Sequence, residues 1–315
     1  MSRSGEAVLA VLRGTPVAEA AAASGADPVA VAADVALFCR AGHQALEARD
    51  PWWQLYLEFA DWHRADGVAA ERLVPTLRLL ESEAGLSWWY IRKHPCWRLR
   101  LRTPDREERM RVRIETVLNT LVRAGHLRRW WTGVYEPESI VFGGPEGMEA
   151  AHELFHADSR AVLTVQEQDH PGLGRRELSV LLCSALIRGA GLEWYEQGEV
   201  WHRVAQERPL PEDIAEERIR AMAGDVHALL QADVSSGGPL FAAGGAAAVA
   251  ASWAEAFHTT GRVLGKAARD GSLQRGLRQV LAYHVIFHWN RLGLRPRAQS
   301  ALAWAARTAV LDRTH

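Results

Sequence analysis

Between Pro51 and Glu136 the hydrophobic pattern of the chain switches back and forth between two periods. WQLYLEF (53–59) and SWWYIRK (87–93) carry aromatic and β-branched residues at strand-like spacing, CWRLRLR (96–102) alternates at every position, and LRRWWTGVYE (127–136) is strand-like again. Between them, Ala65 to Glu83 and Asp105 to Ala124 repeat their apolar residues at helical spacing; the second starts after Pro104 and stops at Gly125. The order β-α-β-β-α-β predicts a ferredoxin-like α+β fold, with both helices on one face of an antiparallel sheet and the other face free.

From Gly143 onward the pattern is mostly helical, over Pro145 to His156, Arg175 to Leu192, Glu212 to Leu230, Ser252 to Leu264 and Gln274 to Leu292, with a Gly-rich loop at Ser235 to Gly245. Residues 4 to 48 are Ala-rich and broken at Gly14-Thr15-Pro16 and at Ser24 to Pro28, which predicts three short helices with a helix-turn-helix rhythm. The expected organisation is a small helical segment, 1–50, and a larger domain, 51–315, made of a βαββαβ part (51–140) and a helical part (141–315).

In CWRLRLR the two faces separate by position: Trp97, Leu99 and Leu101 to one side, Arg98, Arg100 and Arg102 to the other. The leucine side belongs under the helices, so three guanidiniums stand in a row on the free face. Such a row repels itself unless it meets negative charge, supplied either by neighbouring carboxylates for stability or by an anionic ligand.

Composition narrows the function. With 315 residues, 48% hydrophobic, 24% charged and a net charge of −1, the chain has a core to bury and no bulk field for nucleic acid or an anionic membrane. The helix after the Ser24 to Pro28 turn offers Asp27 and Asp34 but no Arg or Lys up to Phe38, which argues against direct DNA binding. No apolar run reaches membrane-spanning length, and no secretion signal is evident at the start. Three widely separated cysteines, Cys39, Cys96 and Cys183, form no disulfide framework, so the expected location is cytoplasmic.

His152-Glu153-Leu154-Phe155-His156 fits the H-E-x-x-H pattern of zinc proteases, yet Ser159 and Val162 occupy the positions of the glycine and third histidine in its longer form. His284 and His288 are also four apart on a helix, a spacing more often filled by satisfied polar residues than by ligands. The chain has no phosphate loop, nucleophile elbow or dinucleotide fingerprint. Tryptophans at 52, 53, 88, 89, 97, 130 and 131 lie on or beside the predicted strands and read as core; the aromatic consensus of RNA-binding sheets is absent from CWRLRLR.

Three segments taken in order, WWYIRKHPCWRLRLR (88–102), RRWWTGVYEPESIVFGGPEGMEAAHELFHADS (128–159) and HVIFHWNRLGL (284–294), resemble the C-terminal domain of class I lanthipeptide dehydratases. The likeness is greatest to the free-standing form found in thiopeptide-type bacteriocin biosynthesis, and it runs from about Pro51 to the C-terminus. The resemblance makes FHADS part of a structural helix and leaves no role for a metal. It implies one of two chemistries without a cofactor. In the first, glutamate is eliminated from Ser or Thr that a separate tRNA-dependent protein has glutamylated, giving dehydroalanine or dehydrobutyrine in a precursor peptide with a leader. In the second, a pyridine synthase joins two dehydroalanines in a formal [4+2] cycloaddition and releases the leader.

By motif position the resemblance places the elimination residues at Arg100, Arg102, Glu138 and His288; the expected substrate contacts beside them are Arg98, Tyr135, Asn290 and Arg291. His288 is the expected proton-transfer group, with Glu138 orienting it, acting itself, or holding an arginine. Many lanthipeptide dehydratases carry an arginine where this chain has Val141, ahead of Phe142-Gly143-Gly144, a departure that keeps the pyridine-synthase reading open. The non-enzyme alternative is a leader-binding subunit with residues 1–50 as its docking unit.

Overall fold

CWRLRLR forms the third strand of a four-stranded sheet in the computed structural model, which describes residues 3–47, 52–103, 108–165, 173–235 and 237–312. The chain divides into two units, 1–51 and 52–315. The first holds α1 (Arg3–Leu12), α2 (Val17–Ser24) and α3 (Pro28–Glu47). Gly25, at φ +68°, closes α2 by donating its N–H back into the helix, a left-handed cap that glycine adopts without strain. The unit closes on small side chains, Ala7, Ala20, Ala21 and Val31. At 20 residues α3 is longer than the short helix expected, because nothing between Pro28 and Glu47 stops it.

The second unit begins with β1 (Trp52–Phe59). A helical segment follows, from α4 (Ala65–Val68) through a π turn (Ala69–Leu73) into α5 (Val74–Ala84). Then come β2 (Ser87–Lys93), β3 (Cys96–Arg102), α6 (Glu108–Arg123) and β4 (Leu127–Gly133). The strands lie in the order β2-β3-β1-β4, all neighbours antiparallel, as the βαββαβ reading requires. One face buries Leu55, Leu57, Trp97, Leu99 and Leu101 against Leu77 and Leu80 of α5 and Ile114 and Leu118 of α6. The start expected for α6 at Asp105 lies outside the described residues.

Seven helices follow: α7 (Pro145–Val165), α8 (Arg175–Gly189), α9 (Trp194–Glu207), α10 (Glu216–Gln231), α11 (Ala251–Asp270), α12 (Leu277–Leu292) and α13 (Pro296–Leu311). Two of them, α9 and α13, were not expected from periodicity. Their signals are local: Glu193 and Glu196 form a reciprocal capping box at the start of α9, and Pro296 occupies the first turn of α13.

The helical part docks on the open edge of β2 and satisfies it with side chains. His156 Nδ1 bonds the Trp88 backbone, Tyr90 N–H donates to Ser159 Oγ (3.2 Å), Arg291 Nε donates to the Tyr90 carbonyl (3.0 Å), and Arg92 Nε donates to the Arg291 carbonyl (2.8 Å). An unpaired edge is thereby closed without another strand. The same docking corrects one expectation, since the second face of the sheet is not free. Trp52, Trp89 and Ile91 on that face pack with Tyr135, Phe142, Met148, Ala151 and Phe155, because the chain after β4 crosses over the sheet and leads into α7.

Candidate functional site

Arg100 sits at the centre of the second face, opposite Gln54 on β1 and Trp89 on β2. Its guanidinium carbon lies 4.1 Å from the Trp89 ring centroid and 4.6 Å from that of Tyr135, so two aromatic rings enclose the cation. Nε donates to Gln54 Oε1 (2.9 Å), while Gln54 Nε2 donates to the Val134 carbonyl (2.8 Å) and ties the crossing segment to β1. Arg100 is only 5% exposed, and no described carboxylate forms an ion pair with it. Burial pushes its pKa down to about 10; Tyr135 and Glu138 oppose that shift, and the charges of Arg98 and Arg291 add to it. It remains a cation at neutral pH. A buried cation held by rings and an amide, with no ion pair among the described residues, has the chemistry to take up an anion.

Its neighbours in the row are differently occupied. Arg98 lies over Tyr56 (5.5 Å), which stacks on Trp131. Arg102 lies over Trp52 (4.9 Å) and grips Glu149 of α7 with both Nη atoms (3.0 and 2.8 Å), with Glu153 at 3.9 Å. Arg102 therefore meets the protein's own carboxylates, the stability role foreseen for such a row, and Arg100 does not.

The two histidines of HELFH part company on α7. His156 turns to the β2 edge, whereas His152 turns to the arginine face, where its Nε2 lies 2.8 Å from Tyr135 Oη and its Nδ1 3.6 Å from Glu149 Oε2. Burial lowers the His152 pKa to about 4 against the opposing pull of Glu149, so the imidazole is neutral at physiological pH. Among the described residues no group of three His, Cys, Asp or Glu side chains is arranged to hold a metal ion.

Arg291 approaches from α12. Its guanidinium carbon is 4.7 Å from the Phe155 ring and 5.9 Å from Trp89, the ring it shares with Arg100. Nη1 donates to Asp158, which also meets His288 Nδ1 (2.9 Å) and accepts from Trp253 Nε1 (2.9 Å). Burial raises the Asp158 pKa, but His288 and Arg291 outweigh it and hold the carboxyl below its ordinary range. Asp158, rather than Glu138, thus orients His288, whose ring lies between Trp253 and Phe257 at 5.8 and 5.1 Å. A chain of contacts links His288 to Arg100 through Asp158, Arg291 and Trp89.

Glu138 is exposed in the turn before α7, where its carbonyl accepts from Val141 and Phe142, and its charge acts on Arg100 from a distance beyond an ion pair. Asn290 accepts from Gln299 of α13 and belongs to that helix contact. The site thus gathers Arg98, Arg100, Arg102 and Tyr135, with Arg291 behind Trp89. It adds Gln54, Trp89, Glu149 and His152, which motif reasoning passed over. Gln54 and Trp89 were accessible in principle as the cross-strand partners of Arg100. Nothing local marks Glu149, and the zinc-like pattern drew attention away from what His152 faces.

Residues 52–310 match the sequence model of the family described as lantibiotic biosynthesis dehydratase C-term. No curated protein sequence matches the chain. Among solved structures, the tRNA-dependent lantibiotic dehydratase MibB from Microbispora sp. 107891 is similar over 83% of this chain, at 22% identity and a TM-score of 0.61. This chain spans only 28% of that protein. TbtD, a pyridine synthase from thiomuracin biosynthesis, is similar over 84% of this chain and 98% of its own, at 14% identity and a TM-score of 0.60. TsrL is similar over 82% of this chain and 93% of its own, at 16% identity and a TM-score of 0.53. These likenesses are of fold; the family match spans most of the chain, and the protein belongs to the lantibiotic biosynthesis dehydratase C-terminal family.

Proposed function

We propose that this protein eliminates glutamate from glutamylated Ser or Thr residues of a ribosomally made precursor peptide, leaving dehydroalanine or dehydrobutyrine. The observation that carries the reading is Arg100, a buried cation between Trp89 and Tyr135 without a carboxylate of its own. Elimination of an ester requires removal of an α-proton and departure of a carboxylate, and the departing charge is the one such a site stabilises. Arg98, on the same face of the strand, adds a second cation for the departing carboxylate, and the charge of Glu138 acts on Arg100. The chemistry needs acid, base and electrostatics from the protein alone. A separate tRNA-dependent protein supplies the glutamylated substrate, and the small unit at 1–51 holds the leader.

One observation favours the pyridine-synthase reading. Val141 stands ahead of Phe142-Gly143-Gly144 where many lanthipeptide dehydratases carry an arginine, a departure from the elimination pattern. Mass spectrometry of a glutamylated precursor incubated with this protein alone separates the two. Loss of glutamic acid with formation of dehydroamino acids supports elimination. Inertness there, with macrocycle and released leader from a dehydrated precursor, supports the synthase and overturns the first reading.

A further inference from the structure

Tyr135, His152 and Glu149 stand in line beside Arg100. Tyr135 Oη is 2.8 Å from His152 Nε2, and His152 Nδ1 faces Glu149 Oε2 at 3.6 Å, a separation too long for a hydrogen bond but short enough for the carboxylate to orient the ring. Arg102 fixes Glu149 with a bidentate grip and holds its carboxyl below the ordinary range. A proton on Nε2 would turn the Nδ1 lone pair toward that carboxylate inside a mostly buried site. The favoured tautomer carries its proton on Nδ1 and offers Nε2 as an acceptor to the Tyr135 hydroxyl. Burial keeps the ring neutral with its lone pair available, and because the same burial weakens it as a base, it takes the phenol proton only in concert with transfer of the α-proton to the Tyr135 oxygen. The fourth member is Arg100, whose guanidinium lies over the Tyr135 ring and favours negative charge on the phenol.

We infer that Tyr135 is the proton-transfer residue of this site and that His152 and Glu149 position it, as a carboxylate–imidazole–phenol relay set against Arg100. The assignment rests on the elimination reading and deepens it. His288, the group named by resemblance, is 1% exposed, with Nδ1 held by Asp158, its ring beside Trp253 and Phe257, and Nε2 buried without a hydrogen-bond partner among the described residues. In the proposed step the Tyr135 oxygen takes the α-proton of the glutamylated residue while its own proton passes to His152 Nε2. The C–H electron pair becomes the Cα=Cβ bond, the Cβ–O bond breaks, and its pair departs on the glutamyl carboxylate against Arg100. The proton on His152 is then released past Glu149, which is half exposed, so the ester yields alkene, glutamate and one proton.

The test uses the full chain and a synthetic peptide bearing one O-glutamylated serine, with Tyr135→Phe, His152→Gln and Asp158→Asn compared against wild type. Turnover by wild type tests the elimination reading itself. Given that turnover, Tyr135→Phe is expected to lower kcat by about 10²–10⁴-fold with KM unchanged, and His152→Gln to lower kcat with the same split. Asp158→Asn alters stability more than kcat. A Tyr135→Phe protein that keeps kcat within about 3-fold of wild type overturns the relay and leaves the elimination reading standing. ¹⁵N NMR of the histidine rings, with His152 assigned by its loss in His152→Gln, decides the relay without turnover. The expected signal is a neutral ring protonated at Nδ1, and a ring protonated at Nε2 rules the relay out.

Discussion

At the scale of single residues, the site is held by groups whose electrostatics conflict with their burial, and each conflict has a measurable consequence. Arg100 is desolvated with no ion pair among the described residues, so replacing it by methionine, which keeps the apolar stem and removes the guanidinium, removes a cost rather than a support. Arg100→Met is expected to keep or raise the thermal midpoint while abolishing elimination; a loss of stability with activity retained would reverse both assignments. His284 is buried against Phe142 with neither ring nitrogen hydrogen-bonded, and burial drives its pKa to about 3. His284→Leu is accordingly expected to stabilise the protein by about 1–3 kcal/mol at neutral pH in denaturant titrations. The sign of the acid response follows. His152 and His284 stay neutral in the fold, while the unfolded chain binds their protons near pH 6.5, so stability falls as pH drops from about 6.5 toward 4. Asp158, depressed by His288 and Arg291, contributes stability above about pH 4 that is lost as pH falls through its folded value. Urea midpoints measured from pH 7 to pH 4 should therefore decline, and decline less in His284→Leu.

At the scale of elements, the contacts that set the site run from one element to the backbone of another, and that is where the sequence was least legible. The strands follow from their spacing and residue types, and the division of CWRLRLR into leucine and arginine faces from alternation, since a period of two leaves one consistent face for burial. What alternation does not carry is the partner of the second face. Tyr135 reaches Arg100 because the chain leaves β4 at Gly133 and crosses the sheet, and the pairing of α7 with the β2 edge depends on Ser159 and His156, which look like ordinary helix residues. Removing the hydroxyl in Ser159→Ala orphans the Tyr90 N–H inside the fold and is expected to cost about 1–3 kcal/mol of unfolding free energy. A second contact of this kind is Gly261-x-x-x-Gly265 on α11, where an added Cβ would collide with the Leu186 and Ala190 carbonyls of the α8 end. In an isolated helix Gly→Ala gains about 1 kcal/mol. Here Gly261→Ala is expected to lose about 1–3 kcal/mol net, by forcing the two helices apart, and a gain in thermal midpoint would show that the crossing is loose.

At the scale of the whole molecule, the two units differ in how they can be stable. The core of 52–315 runs continuously from Leu55 and Trp97 of the sheet through Leu182, Trp201 and Trp289 of the helices, and the family match begins at its first residue. Among its described side chains the unit at 1–51 buries only small apolar residues, Ala7, Val8, Ala20, Ala21 and Val31, while Val29, Leu37 and Phe38 of α3 remain exposed. Apolar burial on that scale is marginal for a segment of its length. A chain beginning at Trp52 is therefore expected to unfold in one transition with the midpoint of the main transition of the full chain. The full chain should show an earlier, separate loss of helix signal from the first unit. If that unit holds the leader, its deletion acts on substrate capture and leaves the arginine site intact. KM for a leader-bearing precursor should then rise by about 10-fold or more, with kcat at saturating substrate, and turnover of a leaderless glutamylated peptide, unchanged. A fall in kcat on the leaderless peptide would instead mean that the first unit contributes to the chemistry itself, and that the site cannot be understood from 52–315 alone.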